Sequence, residues 1–233
     1  GVEARSVVKN GLAAIWDGID NVATGTHATE TDKWVDLIAG RQINLVKATI
    51  GEKSVGFAKE TTSYGTLATA DAAVTFEAPG VVTWECRSVS EFGLELYAAG
   101  GRMISPWQTT LYTSQNGNSV GMTCGSLFNS YHDIAVVYSG AASRNILFDA
   151  VVPSSLKTGV GGWGGVGSFP QGTSVILSGT AAYAVACTFQ MIRVYTNELL
   201  SADAAINLAV DEARFKDGLT LGAVESCTAT LTP

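Results

Sequence analysis

Positive charge is scarce in this sequence, and the shortage argues against a nucleic-acid partner. The chain of 233 residues carries 14 Lys and Arg against 21 Asp and Glu, for a net charge of −7. Affinity for nucleic acid comes largely from Lys and Arg side chains that neutralise phosphates, and here these side chains are scattered rather than clustered. We therefore expect no nucleic-acid partner.

Long apolar runs are also missing. The longest, Ala181–Cys187, falls far short of the ~20 residues that a membrane-spanning helix needs, so we expect no membrane span in this chain. The chain starts at Gly1 rather than at Met, so the missing signal peptide says little about where the protein resides.

Cysteine is sparse and unpaired in sequence. Cys86, Cys124, Cys187 and Cys227 are far apart and form no C-x-x-C motif, which disfavours zinc sites and redox motifs. Three disulfide pairings are formally possible for four cysteines, and the sequence does not choose among them. We interpret most of these residues as buried free thiols that pack as small apolar side chains.

Proline is rare, at 5 residues, whereas glycine is abundant, at 26, and hydrophobic residues make up 46% of the chain. This composition predicts a sizeable core built from short strands and tight turns. Asn116–Gly117 is a strong hairpin signal between two strand-like segments. The segments Tyr131–Tyr138 and Asn145–Val152, joined by SGAAS, predict another hairpin. About a dozen such segments predict an all-β, two-sheet antiparallel sandwich.

One segment, LLSADAAINLAVDEARF, has helical periodicity instead. Ser201 is a natural N-cap, Asp203 and Arg214 suit the two ends of the helix dipole, and Gly218 is a stop signal. The sequence therefore predicts one short C-terminal helix. The i, i+3, i+4, i+7 pattern predicts that its buried face consists of Ala202, Ala205, Ile206, Ala209, Val210 and Ala213.

Three parts of the chain resemble one known family. Trp16–Gly18 and Trp34–Leu37 are similar to the opening strand, loop and Trp-x-Asp-Leu segment of bacterial laminin-G-like, concanavalin-A-like jelly-roll domains. YHDIAVVYSG and NILFDAVV resemble the family's central hairpin, although Asp149–Ala150 replaces its Asp-Gly turn. QMIRVYTNELLSADAAINLAVDEARF resembles its closing strand and helix.

The resemblance implies a jelly-roll sandwich that occupies residues 1–233 as a single domain, with residues 1–9 and 216–233 as edge strands or tethers. The family includes lectin-like, adhesive, structural and enzyme-appended modules, so the resemblance alone does not assign a function.

The stretch WDGIDN allows two interpretations. Asp17, Asp20 and Asn21 could supply oxygen ligands to calcium, the one cofactor we consider, with Asp36 or Asp211 joining from elsewhere. Alternatively, Asp and Asn cap their own backbone in a turn, with Gly18 at an unusual φ. Because the D-x-D-x-D-G spacing of a calcium hand is absent, the turn is the favoured interpretation and calcium the minor one.

Catalytic patterns are weak, and we predict no catalytic residue. Glu91, Gly93 and Glu95 match the outer spacing of a glucanase triad but lack its middle Asp. On an extended strand the two outer Cα atoms would be ~13 Å apart, against the ~5.5 Å between carboxyl groups that retaining chemistry needs. His27 lies in a polar loop, and His132 lies in a strand that we interpret as structural.

Candidate ligand-binding residues lie in loops. Trp163, flanked by glycines in GVGGWGGVG, and Trp107, after Pro106, could stack on a sugar ring, and Asn116 and Asn118 could add hydrogen bonds. The other tryptophans are in strand-like contexts and are predicted to be core residues: Trp16, Trp34 and Trp84.

The leading hypothesis is a non-catalytic carbohydrate-binding or adhesion module of a bacterial secreted or cell-surface protein. Its partners would be a glycan or polysaccharide and the neighbouring domains of a larger surface protein, and its location extracellular or at the cell surface. The alternatives are a purely structural spacer and a glycoside hydrolase of the glucanase-like sandwich class.

Overall fold

The structure is a computed structural model. It describes residues 6–20, 32–60, 62–67, 81–90, 96–98, 101–107, 110–115, 118–123, 129–139, 144–154, 157–158, 175–177 and 186–222. Between residues 96 and 123, and at 157–158 and 175–177, the description covers the backbone alone.

The described residues form sixteen strands and one long helix. The strands are β1 Leu12–Asp17, β2 Asp32–Val35, β3 Gln42–Val46, β4 Thr49–Ile50, β5 Val55–Phe57, β6 Tyr64–Leu67, β7 Val81–Ser90, β8 Leu96–Ala98, β9 Gly101–Trp107, β10 Thr110–Gln115, β11 Asn118–Thr123, β12 His132–Ser139, β13 Arg144–Phe148, β14 Lys157–Thr158, β15 Val175–Leu177 and β16 Cys187–Tyr195. The helix, α1, is Ser201–Asp217.

The strands form two antiparallel sheets, which confirms the predicted fold class. Among the described residues, the seven-stranded sheet has the order β13-β12-β7-β16-β5-β4, with β1 also paired to β16, and the nine-stranded sheet has the order β14-β11-β10-β9-β8-β15-β6-β3-β2. The pair Gln115↔Asn118 closes the β10–β11 hairpin around Asn116–Gly117, as predicted. The predicted β12–β13 hairpin is present as well.

The core lies between the two sheets. Trp16 and Trp84 of the seven-stranded sheet stack with their ring centroids 6.4 Å apart, and Trp34 of the nine-stranded sheet joins the same cluster. All three are buried, which confirms their predicted core role. Cys86 and Cys187 are free and buried, again as predicted, whereas Cys124 and Cys227 lie outside the described residues.

Helix α1 packs on the outer face of the seven-stranded sheet, on the side away from the core. Leu200 is its N-cap and makes no side-chain cap, so the predicted Ser201 cap is wrong. At the other end Gly218 adopts φ 70° and donates its N–H to Arg214 O, as the stop signal indicates.

The predicted buried face of α1 is correct at Val210 but wrong at Ala202, Ala205 and Ala209, which are exposed. The buried positions are Ala204, Asn207, Val210, Asp211, Arg214 and Phe215. The reason is that the outer face of the sheet carries buried charged side chains, Glu85 and Arg193 among them, and these select polar partners on the helix.

Gly18 lies where two strands share one edge of β16. Residues Met191–Tyr195 pair with β1, and Cys187–Phe189 pair with β5. Between them, Gly18 N donates to Gln190 O at 2.8 Å. A Cβ at Gly18 would lie 2.3 Å from Lys53 O and 2.7 Å from Gln190 O. Gly18 is not in the left-handed region, so the expected unusual φ is wrong, and the close approach of two backbones explains the glycine.

We expect Gly18→Ala to destabilise the protein by about 1–3 kcal/mol, because the added methyl group overpacks against two backbone carbonyls that cannot rotate away. Urea denaturation measures the change. Gly222→Ala is the matched control: a Cβ there meets nothing within 4 Å, so its effect should stay within about 0.5 kcal/mol. Equal effects of the two variants would contradict the steric explanation.

Candidate functional site

The WDGIDN stretch forms a turn that is bound by an arginine of α1. Both carboxylate oxygens of Asp17 accept from Arg214, with Nη1 to Oδ2 at 2.8 Å and Nη2 to Oδ1 at 3.0 Å. Asp17 Oδ1 also accepts from the backbone N–H groups of Ile19 and Asp20 at 2.9 and 3.0 Å. These last two bonds are the local capping pattern of an Asx turn, so the turn interpretation is confirmed.

The other described carboxylates considered for calcium also contact arginine. Asp20 Oδ2 accepts from Arg214 Nη2 at 3.3 Å and from Leu221 N at 2.7 Å. Asp36 pairs with Arg41 at 3.0 Å, and Asp211 pairs with Arg193.

In this arrangement the described carboxylates do not fit a calcium ion. A cation at Asp17 and Asp20 would require the Arg214 guanidinium to leave. No cluster of three His, Cys, Asp or Glu side chains able to hold a metal occurs within the described ranges. Asn21 lies outside the described residues, and calcium binding stays a prediction.

Asp17, Glu85, Arg193, Asn207, Asp211 and Arg214 form what we call the helix–sheet charge network. Arg193, fully buried, donates from Nε to Glu85 Oε2 at 2.9 Å and from Nη1 to Asp211 Oδ1 at 3.2 Å. Asn207 Nδ2 donates to the same Glu85 oxygen at 2.9 Å. Burial raises the pKa of Glu85, and the Arg193 guanidinium opposes that rise.

A second buried ion pair lies further along the same face of the sheet. Arg87 donates from Nη1 to Asp133 Oδ1 at 2.7 Å and from Nε to Gln190 Oε1 at 2.9 Å. Asp133 Oδ2 has no hydrogen-bond partner among the described residues. Burial raises the pKa of Asp133 well above its ordinary value, and the carboxylates of Asp211 and Glu85 add to the effect.

The outer face opens into a groove beyond α1. This outer-face groove has a volume of about 360 Å³ and is lined by Thr49, Gly51, Ser54, Gly56, Phe57, Ala58 and Thr188. Thr188 and Thr49 both flank Gly56 in the strand register. Gly56 adds no side chain between these threonines, which leaves room beside their hydroxyl groups.

Tyr131 lies next to Ser54, one of the residues that line this groove. It is partly buried and lies beside Ser54 and Arg87. Burial raises the pKa of its phenol, while Ser54 and Arg87 act in the opposite direction. The groove and its immediate surroundings therefore combine hydroxyl groups, glycine and the aromatic side chains of Phe57 and Tyr131.

A Ser-His-Asp arrangement lies at the start of β12. Ser130 Oγ is 3.1 Å from His132 Nε2, and His132 Nδ1 is 2.6 Å from Asp149 Oδ2. Asp149 and Ala150 form the tight turn after β13 and have φ values of 47° and 67°. Residues other than Gly, Asn and Asp rarely adopt a left-handed backbone. The turn therefore holds the Asp149 carboxylate in place, and its backbone is strained at Ala150.

None of the predicted ligand-binding residues has a described side chain, so the structure does not test whether they form one site. Trp163 and Asn116 lie outside the described residues. Trp107 ends β9 and Asn118 begins β11, and only their backbones are described. Their role in ligand binding stays a prediction, and so does the glucanase alternative, because Glu91, Gly93 and Glu95 also lie outside the described ranges.

Two groups of residues escaped sequence reasoning. Thr49 and Gly56 come from the β4–β5 hairpin, whereas Thr188 comes from β16, much later in the chain, so no local sequence pattern marks the three groove residues together. Ser130 and His132 do carry a signal, since residues i and i+2 share a face of a strand. The β12–β13 register pairs Ile134 with Phe148 and so brings the turn at Asp149 to the start of β12, where His132 lies.

Comparison with known proteins gives structural neighbours only. No protein-family model and no curated protein sequence matches this chain. A Trypanosoma rangeli sialidase in complex with sialic acid matches with a TM-score of 0.58 and 14% identity, over 90% of this chain and 34% of the sialidase chain. Another structure of that sialidase gives a TM-score of 0.62 at 12% identity, with the same coverage.

A botulinum neurotoxin type C structure, described as showing that cell entry depends on interaction with two ganglioside molecules, matches with a TM-score of 0.60 and 8% identity. The match covers 85% of this chain and 50% of the toxin chain. This chain therefore spans about a third of the sialidase and half of the toxin fragment. The shared feature is the fold, a β-sandwich of jelly-roll type. Among the described residues no helix is long and apolar enough to cross a membrane.

We expect Arg214→Met to lower the free energy of unfolding by about 3–5 kcal/mol, because the buried Asp17 carboxylate would lose its cation. Urea denaturation measures the loss, and Arg214→Lys should fall between the two proteins because it keeps charge but not bidentate geometry. Lys216→Met, at an exposed position of the same helix, is the control and should change stability little. A loss below about 1 kcal/mol for Arg214→Met would contradict a stabilising role of the pair.

The raised pKa of Asp133 predicts a specific pH dependence. The folded state binds this proton more tightly than the unfolded state, so the contribution of Asp133 to stability falls as pH rises above about 4, the pKa of an unperturbed Asp. Asp133→Asn removes the titration. As pH rises from 4 to 8, the free energy of unfolding of wild type should therefore fall relative to that of this variant. Urea denaturation across this pH range measures the difference. Asp217→Asn, at an exposed position, is the control, and its curve of stability against pH should run parallel to that of wild type. If the Asp133→Asn curve also ran parallel to wild type, the raised pKa of Asp133 would be contradicted.

Proposed function

We propose that this protein is a carbohydrate-binding module and that the outer-face groove is its glycan site. The observation that carries the proposal is the lining of the groove: hydroxyl groups of Thr49, Ser54 and Thr188 around the glycine at position 56, with Tyr131 beside them. Pockets that bind small molecules combine apolar surface with a few placed polar groups. Hydroxyl groups both donate and accept, as sugar hydroxyls require.

The structural neighbours support the same class of ligand. The sialidase structure holds sialic acid, and the toxin structure is described by its interaction with gangliosides. At 8–14% identity these likenesses concern the fold, so the ligand class is our proposal for this chain. The earlier resemblance to bacterial laminin-G-like domains, and an extracellular or cell-surface location, belong to the same proposal.

The test is a titration of the whole chain with 3′-sialyllactose and with lactose, at millimolar concentrations, by isothermal calorimetry or saturation-transfer NMR. We expect binding of at least one sugar and a loss of about fivefold in affinity for Thr188→Val, because one hydrogen bond is worth roughly 1 kcal/mol. Valine keeps the shape of threonine and removes only the hydroxyl group.

Thr196→Val is the matched control, since it makes the same change just beyond the opposite end of β16 and should leave affinity unchanged. If Trp163→Ala lost binding while Thr188→Val kept it, the assignment of the site to the groove would be wrong. The site would then lie at the glycine-rich segment around Trp163 and at Trp107. An absence of binding to either sugar or to a polysaccharide array would favour a structural spacer instead.

A further inference from the structure

We infer that Ser130, His132 and Asp149 form a nucleophilic site that accepts acyl groups from esters. This activity goes beyond the glycan binding proposed above and does not depend on it. The serine, the imidazole and the carboxylate are linked in that order by contacts of 3.1 and 2.6 Å. The same order of groups activates serine nucleophiles on unrelated folds.

The hydrogen bonds select the imidazole tautomer that this chemistry needs. An ionised carboxylate only accepts hydrogen bonds, so His132 Nδ1 carries the proton and donates it to Asp149 Oδ2. Nε2 is then the unprotonated nitrogen and accepts from the Ser130 hydroxyl group. The imidazole is therefore oriented as a general base toward Ser130 Oγ.

Three further contacts hold the base and the carboxylate in position. The His132 ring packs on Phe148, with centroids 4.7 Å apart and planes inclined at 36°. Asp149 Oδ1 accepts from Asp133 N at 3.0 Å, and Asp149 N donates to Asp133 O at 2.8 Å. The carboxylate is thus fixed by β12, the strand that His132 begins, and by the left-handed turn described above.

Access to the nucleophile is open. Ser130 is exposed, whereas the His132 side chain is mostly buried. An ester carried on a larger molecule can therefore reach Ser130 Oγ while the base stays shielded. The chemical class that fits is an O-acyl ester with an alcohol leaving group.

The reaction balances with water as the only co-reactant. Ser130 Oγ bonds to the ester carbonyl carbon as His132 Nε2 takes its proton, the bond from that carbon to the alkoxy oxygen breaks, and the alcohol leaves with the proton from His132. Water then attacks the acyl-serine with His132 as base, the bond to Oγ breaks, Ser130 regains a proton, and a carboxylic acid is released. The set supplies a nucleophile and a general base, so the expected gain is about 10²–10⁴-fold.

The test is reaction of the whole chain with a fluorophosphonate, which bonds to an activated serine oxygen through phosphorus and releases fluoride. Peptide mass mapping should place the adduct on Ser130, at a rate at least about 100-fold above that of the exposed Ser201 in the same protein. Hydrolysis of p-nitrophenyl acetate should show the same dependence on Ser130.

The variants separate activation from simple exposure. Ser130→Ala should abolish the adduct, and Asp149→Asn should slow labelling of Ser130 about 100-fold or more. Asparagine tolerates the left-handed backbone at position 149, and thermal denaturation would verify that this variant is folded. Ser201→Ala is the matched control and should leave the rate unchanged. Two results would overturn the inference: labelling of Ser130 no faster than that of Ser201, or labelling of Ser130 in Asp149→Asn and in His132→Gln as fast as in wild type.

Discussion

The pairing of two buried arginines, Arg193 and Arg214, with carboxylates of the sheet is the constraint on which the outer face depends. Removing a guanidinium from water is costly, and the cost is offset only when geometry and hydrogen bonding are nearly complete. Both side chains are fully buried, and each contacts an acid on a strand. Because both lie on or under α1, a helix shifted by one turn would leave at least one charge unpaired. The network therefore fixes where the helix ends and where the groove begins.

The groove is coupled to that helix through one lysine. Lys53, in the turn between β4 and β5, donates from Nζ to the carbonyls of Phe215 and Lys216 at 3.0 and 3.1 Å. Cations are favoured at the C-terminal end of a helix, where carbonyl groups lack partners. The same hairpin provides Gly51, Ser54 and Gly56 to the groove. The shape of the proposed glycan site thus follows from helix docking, which the charge network determines.

Strand-like segments separated by short turns were enough to predict the sandwich, the two hairpins and the three core tryptophans, because each strand buries one face in the same apolar core. The helix was predictable from its period and from the stop signal at Gly218, but its N-cap and its buried face were not. Alanine fits inside or outside a protein, so Ala202, Ala205 and Ala209 carried little information. The partner of Asn207 is Glu85 on β7, 122 residues away in the chain, and the partner of Asp211 is Arg193 on β16, 18 residues away. No local sequence pattern contains these pairings. The groove escaped for the same reason.

Alternation at the start of β12 also explains how two different sites can lie so close together in sequence. Tyr131 and His132 are consecutive, and successive side chains of an extended chain point to opposite faces. Tyr131 accordingly lies beside Ser54 and Arg87 on the outer face, whereas His132 packs on Phe148, which contacts the core between the sheets. The sheet itself separates the groove from the Ser130–His132–Asp149 set. Ser130 is not among the residues that line the groove, so the two proposed sites use different side chains.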